Sequence, residues 1–128
     1  MTAFDQSAVE AEIREAVGAY EHALGTNDIT TLSTFFWEDP RVVRLSPDGG
    51  LYGHQQISDF RRARDISDIE REVTDLRILV LGPDTGVATC EYRRTGSGRR
   101  GAQSQVWKRT PEGWRIVVTH VSLNCVNG

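Results

Sequence analysis

The sequence predicts an α+β domain in which three helices pack on one face of a strongly curved, mainly antiparallel β-sheet. Near the N-terminus, apolar residues recur every three or four positions, as on an amphipathic helix. From about residue 69 the apolar period changes to two, as on strands. Tight turns then join four successive strands, which indicates an antiparallel meander. A bent sheet wrapped on a long helix forms a cone with a pocket at its wide mouth.

The first helix is predicted to begin at a capping box formed by Ser7 and Glu10, and to be ended by Gly25 and Asn27. A single apolar stripe follows the box at helical spacing. The stripe comprises Val9, Ile13, Val17, Tyr20 and Leu24.

Asp28 is predicted to cap a second, shorter helix, which must end before Pro40 because the residue before a proline is pushed out of the helical region. A third helix is expected from about His54 to Arg64. Between these two helices, Arg41–Leu45 and Leu51–Gly53 alternate as a short hairpin.

Four long strands complete the predicted fold. They are separated by turns rich in glycine and proline, whose residue types favour tight reversals. The predicted strands are Ile69–Leu81, Val87–Thr95, Ala102–Thr110 and Trp114–Leu123.

The length and charge of the chain restrict its function. A chain of 128 residues fits one domain, residues 1–128. The net charge of −3 disfavours nucleic acid and anionic membranes as partners. No apolar run could span a bilayer, and no secretory signal is visible. Cys90 and Cys125 form no metal-type pair, so we expect a cytoplasmic protein with reduced thiols.

The last strand presents two faces, and we expect the face with an aromatic residue to point inward. That set contains Trp114, Ile116, Val118, His120 and Ser122. The opposite face would carry an apolar patch too wide for comfortable exposure, formed by Val117, Val121, Leu123 and either Val106 or Trp107. A two-fold interface would cover this patch, so we expect a homodimer or a higher oligomer.

Three residues are candidates for the pocket. An inward His120 could position a substrate or exchange a proton, or it could be a satisfied core histidine. The hydroxyl of Tyr20 needs a partner in the buried stripe, either backbone or ligand. Arg44 is either an exposed edge arginine or an inward charge that must meet a carboxylate.

Fourteen of the fifteen basic residues are arginine, which indicates either a GC-rich genome or a use for bidentate carboxylate binding. Arg61, Arg62 and Arg64 mostly form a solvated helix face, although Arg61 or Arg64 could reach the pocket mouth. There is no phosphate-binding loop, no histidine pair spaced for metal and no nucleophile motif. We therefore expect a site that needs no metal or nucleotide cofactor.

Two sets of residues resemble the AtzH-like family, which includes the oxalurate-catabolism proteins. The resemblance covers nearly the whole chain, without the first few residues and the tail from Asn124. The first set is Asn27-Asp28, Leu32, Phe36–Arg41, Val43-Arg44, Leu51–Gly53, Ile57, Phe60-Arg61 and Ala63-Arg64. The second is Gln103–Gln105, Trp107, Gly113–Val117 and His120–Ser122.

This resemblance implies a cone-shaped fold of the NTF2-like, SnoaL-like superfamily, also called cystatin-like, which commonly dimerises through its sheet. It further implies a decarboxylating amidohydrolase that converts 1,3-dicarboxyurea to allophanate. In the family the functional pair is a tyrosine of the first helix and an arginine of the first strand. The matching residues are Tyr20 and Arg44.

The resulting hypothesis is that Arg44 binds a carboxylate of a small N-carboxylated urea and Tyr20 donates a proton to the carbamate nitrogen. His120, Ser122 and Gln105 would orient the other end of this anionic substrate, with Arg61 and Arg64 as further binding residues. One alternative is an isomerase or dehydratase, for which Glu91 is the nearest candidate base. Another is a non-catalytic acid-binding or accessory subunit.

Overall fold

The computed structural model describes residues 4–124 and has three helices on the concave face of one curled, six-stranded sheet. The helices are α1 (Gln6–Gly25), α2 (Ile29–Phe35) and α3 (His54–Ala63). The strands are β1 (Val43–Ser46), β2 (Gly49–Tyr52), β3 (Arg71–Gly82), β4 (Thr85–Arg94), β5 (Arg100–Thr110) and β6 (Gly113–Leu123). The predicted fold class is confirmed. No helix within residues 4–124 combines the length and the apolar character that a bilayer crossing requires.

Helix α1 buries the predicted stripe, and Ile13 in its middle has no exposed surface. Its N-cap is Asp5, whose carboxylate accepts a hydrogen bond from the Ala8 backbone N–H at 3.1 Å. The predicted capping box at Ser7 was therefore wrong: Ser7 already lies inside the helix, because Asp5 supplies an acceptor two residues earlier.

Helices α2 and α3 agree with the sequence pattern. The Asp28 side chain caps α2 by accepting from the Thr31 backbone N–H at 3.2 Å, as predicted. Helix α2 ends at Phe35, well before Pro40. Helix α3 ends at Ala63, within one residue of the prediction.

The strand order is β2-β1-β6-β5-β4-β3. Strands β3 to β6 form the predicted antiparallel meander, and β1 and β2 form the predicted hairpin. The hairpin joins the meander through a parallel pairing of β1 with β6, in which Arg44 lies opposite Thr119. The turn pattern could not show this contact, because the paired residues are 75 positions apart in the chain.

A β-bulge divides β6 into two halves with opposite orientation. Val106 pairs with Val118 and Trp107 pairs with Ile116, so Val117 has no partner on β5. Because the extra residue reverses the alternation, the inward set changes from Trp114 and Ile116 before the bulge to another set after it. The later inward set is Thr119, Val121 and Leu123.

The predicted inward positions of His120 and Ser122 were therefore wrong: both residues are exposed on the outer face. The predicted dimer patch was also wrong in part. Trp107 is fully buried, and Val121 and Leu123 lie on the concave side.

Val106 does lie on the outer face, in a row of apolar side chains that crosses the whole sheet. We call this the outer row. It consists of Tyr52, Val43, Val118, Val106, Val87 and Leu79, each paired with the next across neighbouring strands.

Cys90 is half-buried on β4, and Cys125 lies outside the described residues, so the expectation of reduced thiols stays a prediction.

Candidate functional site

Helix α1 places Tyr20 in the core at the base of α2. Tyr20 is 2% exposed, and its ring meets Phe35 and Phe36 edge to face, each with 6.2 Å between ring centroids. Its hydroxyl oxygen accepts a hydrogen bond from Arg61 Nη2 at 3.1 Å. The hydrogen-bond partner that we expected for this buried hydroxyl is therefore an arginine side chain and not the backbone.

Helix α3 supplies two arginines to the same region. Arg61 is 2% exposed, and its guanidinium also lies over the Phe36 ring, 5.1 Å from the centroid. Arg64 is half-buried at the end of α3, 6.0 Å from the Phe60 ring centroid. The expectation that this stretch mostly forms a solvated face holds for Arg62, which is exposed.

Strand β1 supplies Arg44 from the inner face of the sheet. β1 is not an edge strand, because β2 and β6 flank it. Thr119, the partner of Arg44 on β6, is buried, which fixes the concave side as the side that Arg44 faces. The Arg44 guanidinium stacks on the Phe60 ring, 4.4 Å from the ring centroid. Arg44 is therefore not the exposed arginine of an edge strand, which was the other possibility that the sequence left open.

We call Arg44, Arg61 and Arg64 the arginine cluster. None of the three has a carboxylate partner among the described residues. Arg61 Nε and Arg64 Nε and Nη2 are buried without any hydrogen-bond partner there. By contrast, Arg71 binds Glu21 at 2.6 Å. Since unpaired buried cations are costly, the cluster has the composition of an anion-binding site.

The electrostatic surroundings lower the pKa values of Arg44 and Arg64. Burial, followed by the charge of Arg61, lowers the pKa of Arg44 to about 10 and that of Arg64 to about 9. Burial alone would raise the pKa of Tyr20, but the charges of Arg61 and Arg71 outweigh it and lower the pKa. A negative ligand would relieve the repulsion among the arginines.

A cavity of about 200 Å³ opens at the mouth of the cone beside the cluster. Arg44, Phe60, Tyr92, Arg94 and Arg99 contribute to its wall. This space suits a small organic acid better than a drug-sized ligand. Of the arginine cluster, Arg44 alone is in this wall. Tyr20 lies behind the wall and is hydrogen-bonded to Arg61.

Gln105, the remaining predicted binding residue, faces the interior and is 3% exposed. It lies on the same row as Arg44, two strands away across Thr119, which corresponds to about 10 Å. Its side-chain oxygen accepts a hydrogen bond from Trp107 Nε1 at 2.9 Å.

His120 and Ser122 do not join the site through their side chains, because the bulge turns both outward. Sequence reasoning missed Tyr92 and Arg94 of β4, which the period-two pattern could have placed inward with Ala88. The Tyr92 hydroxyl donates to the Ser122 carbonyl at 2.7 Å and so forms one side of the cavity. Within residues 4–124 no three His, Cys, Asp or Glu side chains come together as metal ligands.

The chain matches the AtzH-like family over residues 2–126. A crystal structure of a protein of unknown function from Pectobacterium atrosepticum is 42% identical, covers 94% of each chain and has a TM-score of 0.88. A cystatin-like fold protein from Burkholderia xenovorans is 30% identical over 92% of this chain and 93% of that chain, with a TM-score of 0.85.

An NTF2-like superfamily protein from Salmonella enterica is 26% identical over 97% of this chain and 96% of that chain, with a TM-score of 0.76. No curated protein gives a significant match. The protein therefore belongs to the AtzH-like family and has the NTF2-like, cystatin-like fold.

Proposed function

We propose that this protein is a catabolic enzyme that removes a carboxylate group from a small N-carboxylated urea or carbamate, such as 1,3-dicarboxyurea. The observation that carries the proposal is the arginine cluster beside Tyr20, in which Arg44, Arg61 and Arg64 have no carboxylate partner within residues 4–124. An anionic substrate would supply the missing charge, and the phenol would supply the proton.

In the binding step, Arg44 holds a substrate carboxylate by a bidentate, charge-assisted contact. Its guanidinium is held against Phe60 and makes no hydrogen bond to the described protein, so its donors remain available. Arg64 offers further unpaired donors nearby for a second carboxylate or the urea carbonyl. Gln105 is the remaining candidate for orienting the far end, because the side chains of His120 and Ser122 face outward.

In the chemical step, Tyr20 donates its hydroxyl proton to the carbamate nitrogen. The bond between that nitrogen and the carboxylate carbon breaks, its electron pair stays on nitrogen, and carbon dioxide leaves. Water then returns a proton to the phenolate. A positioned proton donor accelerates such a step about 10²–10⁴-fold. For the buried Tyr20 to reach the nitrogen, the substrate must enter between the arginines.

The test is to incubate the purified protein with 1,3-dicarboxyurea and to follow carbon dioxide and allophanate by mass spectrometry. Tyr20→Phe and Arg44→Ala should each lower turnover at least about 100-fold while the fold is kept. Tyr52→Phe and Arg41→Ala are matched controls, because both residues are exposed and should leave turnover unchanged. Near-normal turnover in folded Tyr20→Phe or Arg44→Ala would refute the proposal.

A non-catalytic acid-binding protein is a second candidate, favoured by the position of Tyr20 behind the cavity wall. This candidate predicts that the same compounds bind at Arg44 without product formation. The isomerase or dehydratase alternative has weaker support, because it needs a carboxylate base in the pocket. Glu91 is exposed on the outer face, and Asp48 lies exposed at the cavity rim.

A further inference from the structure

Arg61 and Tyr20 form a buried pair with a fixed direction. Arg61 Nη2 lies 3.1 Å from the Tyr20 hydroxyl oxygen, and each residue is only 2% exposed. A guanidinium has donors and no acceptor, so the phenol oxygen must accept in this contact. The hydroxyl hydrogen must therefore point away from Arg61.

No acceptor for that hydrogen is found among residues 4–124, although the hydroxyl lies in the core. A buried hydroxyl normally donates as well as accepts. The Tyr20 O–H is thus a hydrogen-bond donor that is not used within these residues. Its orientation is fixed by the hydrogen bond from Arg61, because the buried hydroxyl cannot rotate freely as it would in solvent.

We infer that Arg61 is a positioning residue that holds Tyr20 as a hydrogen-bond and proton donor and stabilises the phenolate left after transfer. The inference rests on the proposed function for its chemical meaning. When the Tyr20 O–H bond breaks, the electron pair remains on the phenol oxygen, beside the Arg61 cation, which pairs with no carboxylate in the described part of the chain. The proton goes to the substrate nitrogen, and water later restores it.

The charge of Arg71 also lowers the pKa of Tyr20, but within residues 4–124 Arg71 makes no hydrogen bond to the phenol. It binds both carboxylate oxygens of Glu21, at 2.9 and 2.6 Å, and the Gln103 side-chain oxygen at 2.7 Å. Among residues 4–124 Arg61 has no carboxylate partner, and it is the residue that donates a hydrogen bond to the phenol oxygen. This contrast assigns the positioning role to Arg61.

The role can be tested without turnover, by titrating tyrosinate absorbance in the wild type and in Tyr20→Phe. The difference isolates Tyr20 from the other two tyrosines. We expect the wild-type Tyr20 to titrate below the usual pKa of about 10. Arg61→Met should lower its acid dissociation constant at least about tenfold, since burial remains and the cation is lost. Arg61→Lys should restore part of the loss.

Arg62→Met is the matched control, because Arg62 is exposed on the same helix and pairs only with Asp59. An unchanged titration of Tyr20 in folded Arg61→Met would overturn the inference. So would a wild-type Tyr20 that titrates at or above the usual value, whether or not the variants fold. If these titrations agree while 1,3-dicarboxyurea is not turned over, the positioning role stands and the proposed function fails.

Discussion

Arginine side chains have two physically different roles in this protein. Arg71 forms a largely buried ion pair and is held by several hydrogen bonds. Arg64 has two buried nitrogens without partners in the described part of the chain. The first arrangement is typical of a structural cation, whereas the second lowers stability and is tolerated where a ligand supplies the partner.

We predict that Arg64→Met raises the free energy of unfolding by about 1 kcal/mol and weakens binding of a small dicarboxylate such as malonate. The pKa of Arg64 is lower in the folded protein, about 9, than in an unfolded chain. The protonated form therefore opposes folding at neutral pH, and this cost falls only as the pH rises above about 9. Denaturant unfolding at pH 7 and calorimetric titration measure the two effects.

Arg71→Met is the opposite case, because it leaves Glu21 without its cation. We expect it to lower the free energy of unfolding by about 3 kcal/mol. If both variants destabilise the protein equally, the distinction between a paired and an unpaired arginine is wrong.

Two different sequence patterns predicted Tyr20 and Arg44; the structure buries Tyr20 and places Arg44 half-buried on the concave side of the sheet. Helical spacing identified the first, and strand alternation beside a short turn identified the second. The burial of Arg61 was not predictable from helix spacing, because its helix carries three arginines in four positions and only tertiary packing distinguishes them.

Element by element, turns and periodicity predicted the helices and the meander, but the faces of β6 depended on one residue. An extra residue at Val117 reverses every later side chain, so His120 and Ser122 moved to the outer face. Nothing in the alternation of β6 alone marks the bulge, because apolar residues stand on both faces. The register of the partner strand β5 is needed to see it.

Gly101 of β5 leaves no room for a side chain. A Cβ there would lie 2.2 Å from the Ser122 carbonyl oxygen and 2.3 Å from the Tyr92 ring. We therefore predict that Gly101→Ala lowers the free energy of unfolding by about 2 kcal/mol or more and displaces Tyr92 from the cavity wall. The midpoint temperature of thermal unfolding and the affinity for malonate should both decrease.

The control for this variant is Gly18→Ala in α1. A Cβ at Gly18 meets nothing within 4 Å, and alanine in a helix interior is favoured over glycine by about 0.5–1 kcal/mol. Gly18→Ala should therefore stabilise the protein. A Gly101→Ala variant as stable as the wild type would show that β5 and β6 can separate at little cost.

At the scale of the whole molecule, the helices cover only the concave face of the sheet, and the outer row remains uncovered. Its members Leu79, Val118 and Tyr52 are 60%, 41% and 58% exposed. We propose that a second copy of the chain covers this row in a two-fold homodimer. Single exposed apolar residues are common on protein surfaces, whereas a continuous apolar stripe across six strands is typical of an interface. Charged residues of both signs flank the row, among them Asp75 and Arg77, which pair with each other at 3.2 Å.

Val118→Glu should convert this dimer to a monomer at micromolar concentration, since a two-fold axis brings the new charge into the interface twice. Sedimentation velocity measures the mass, and Ile66→Glu is the matched control, because Ile66 is 46% exposed in a loop outside the sheet. The cavity lies on the concave side, so a folded Val118→Glu monomer should still bind malonate at Arg44. A wild-type protein that sediments as a monomer at micromolar concentration, or a Val118→Glu variant that remains dimeric, would show that the outer row is not the interface.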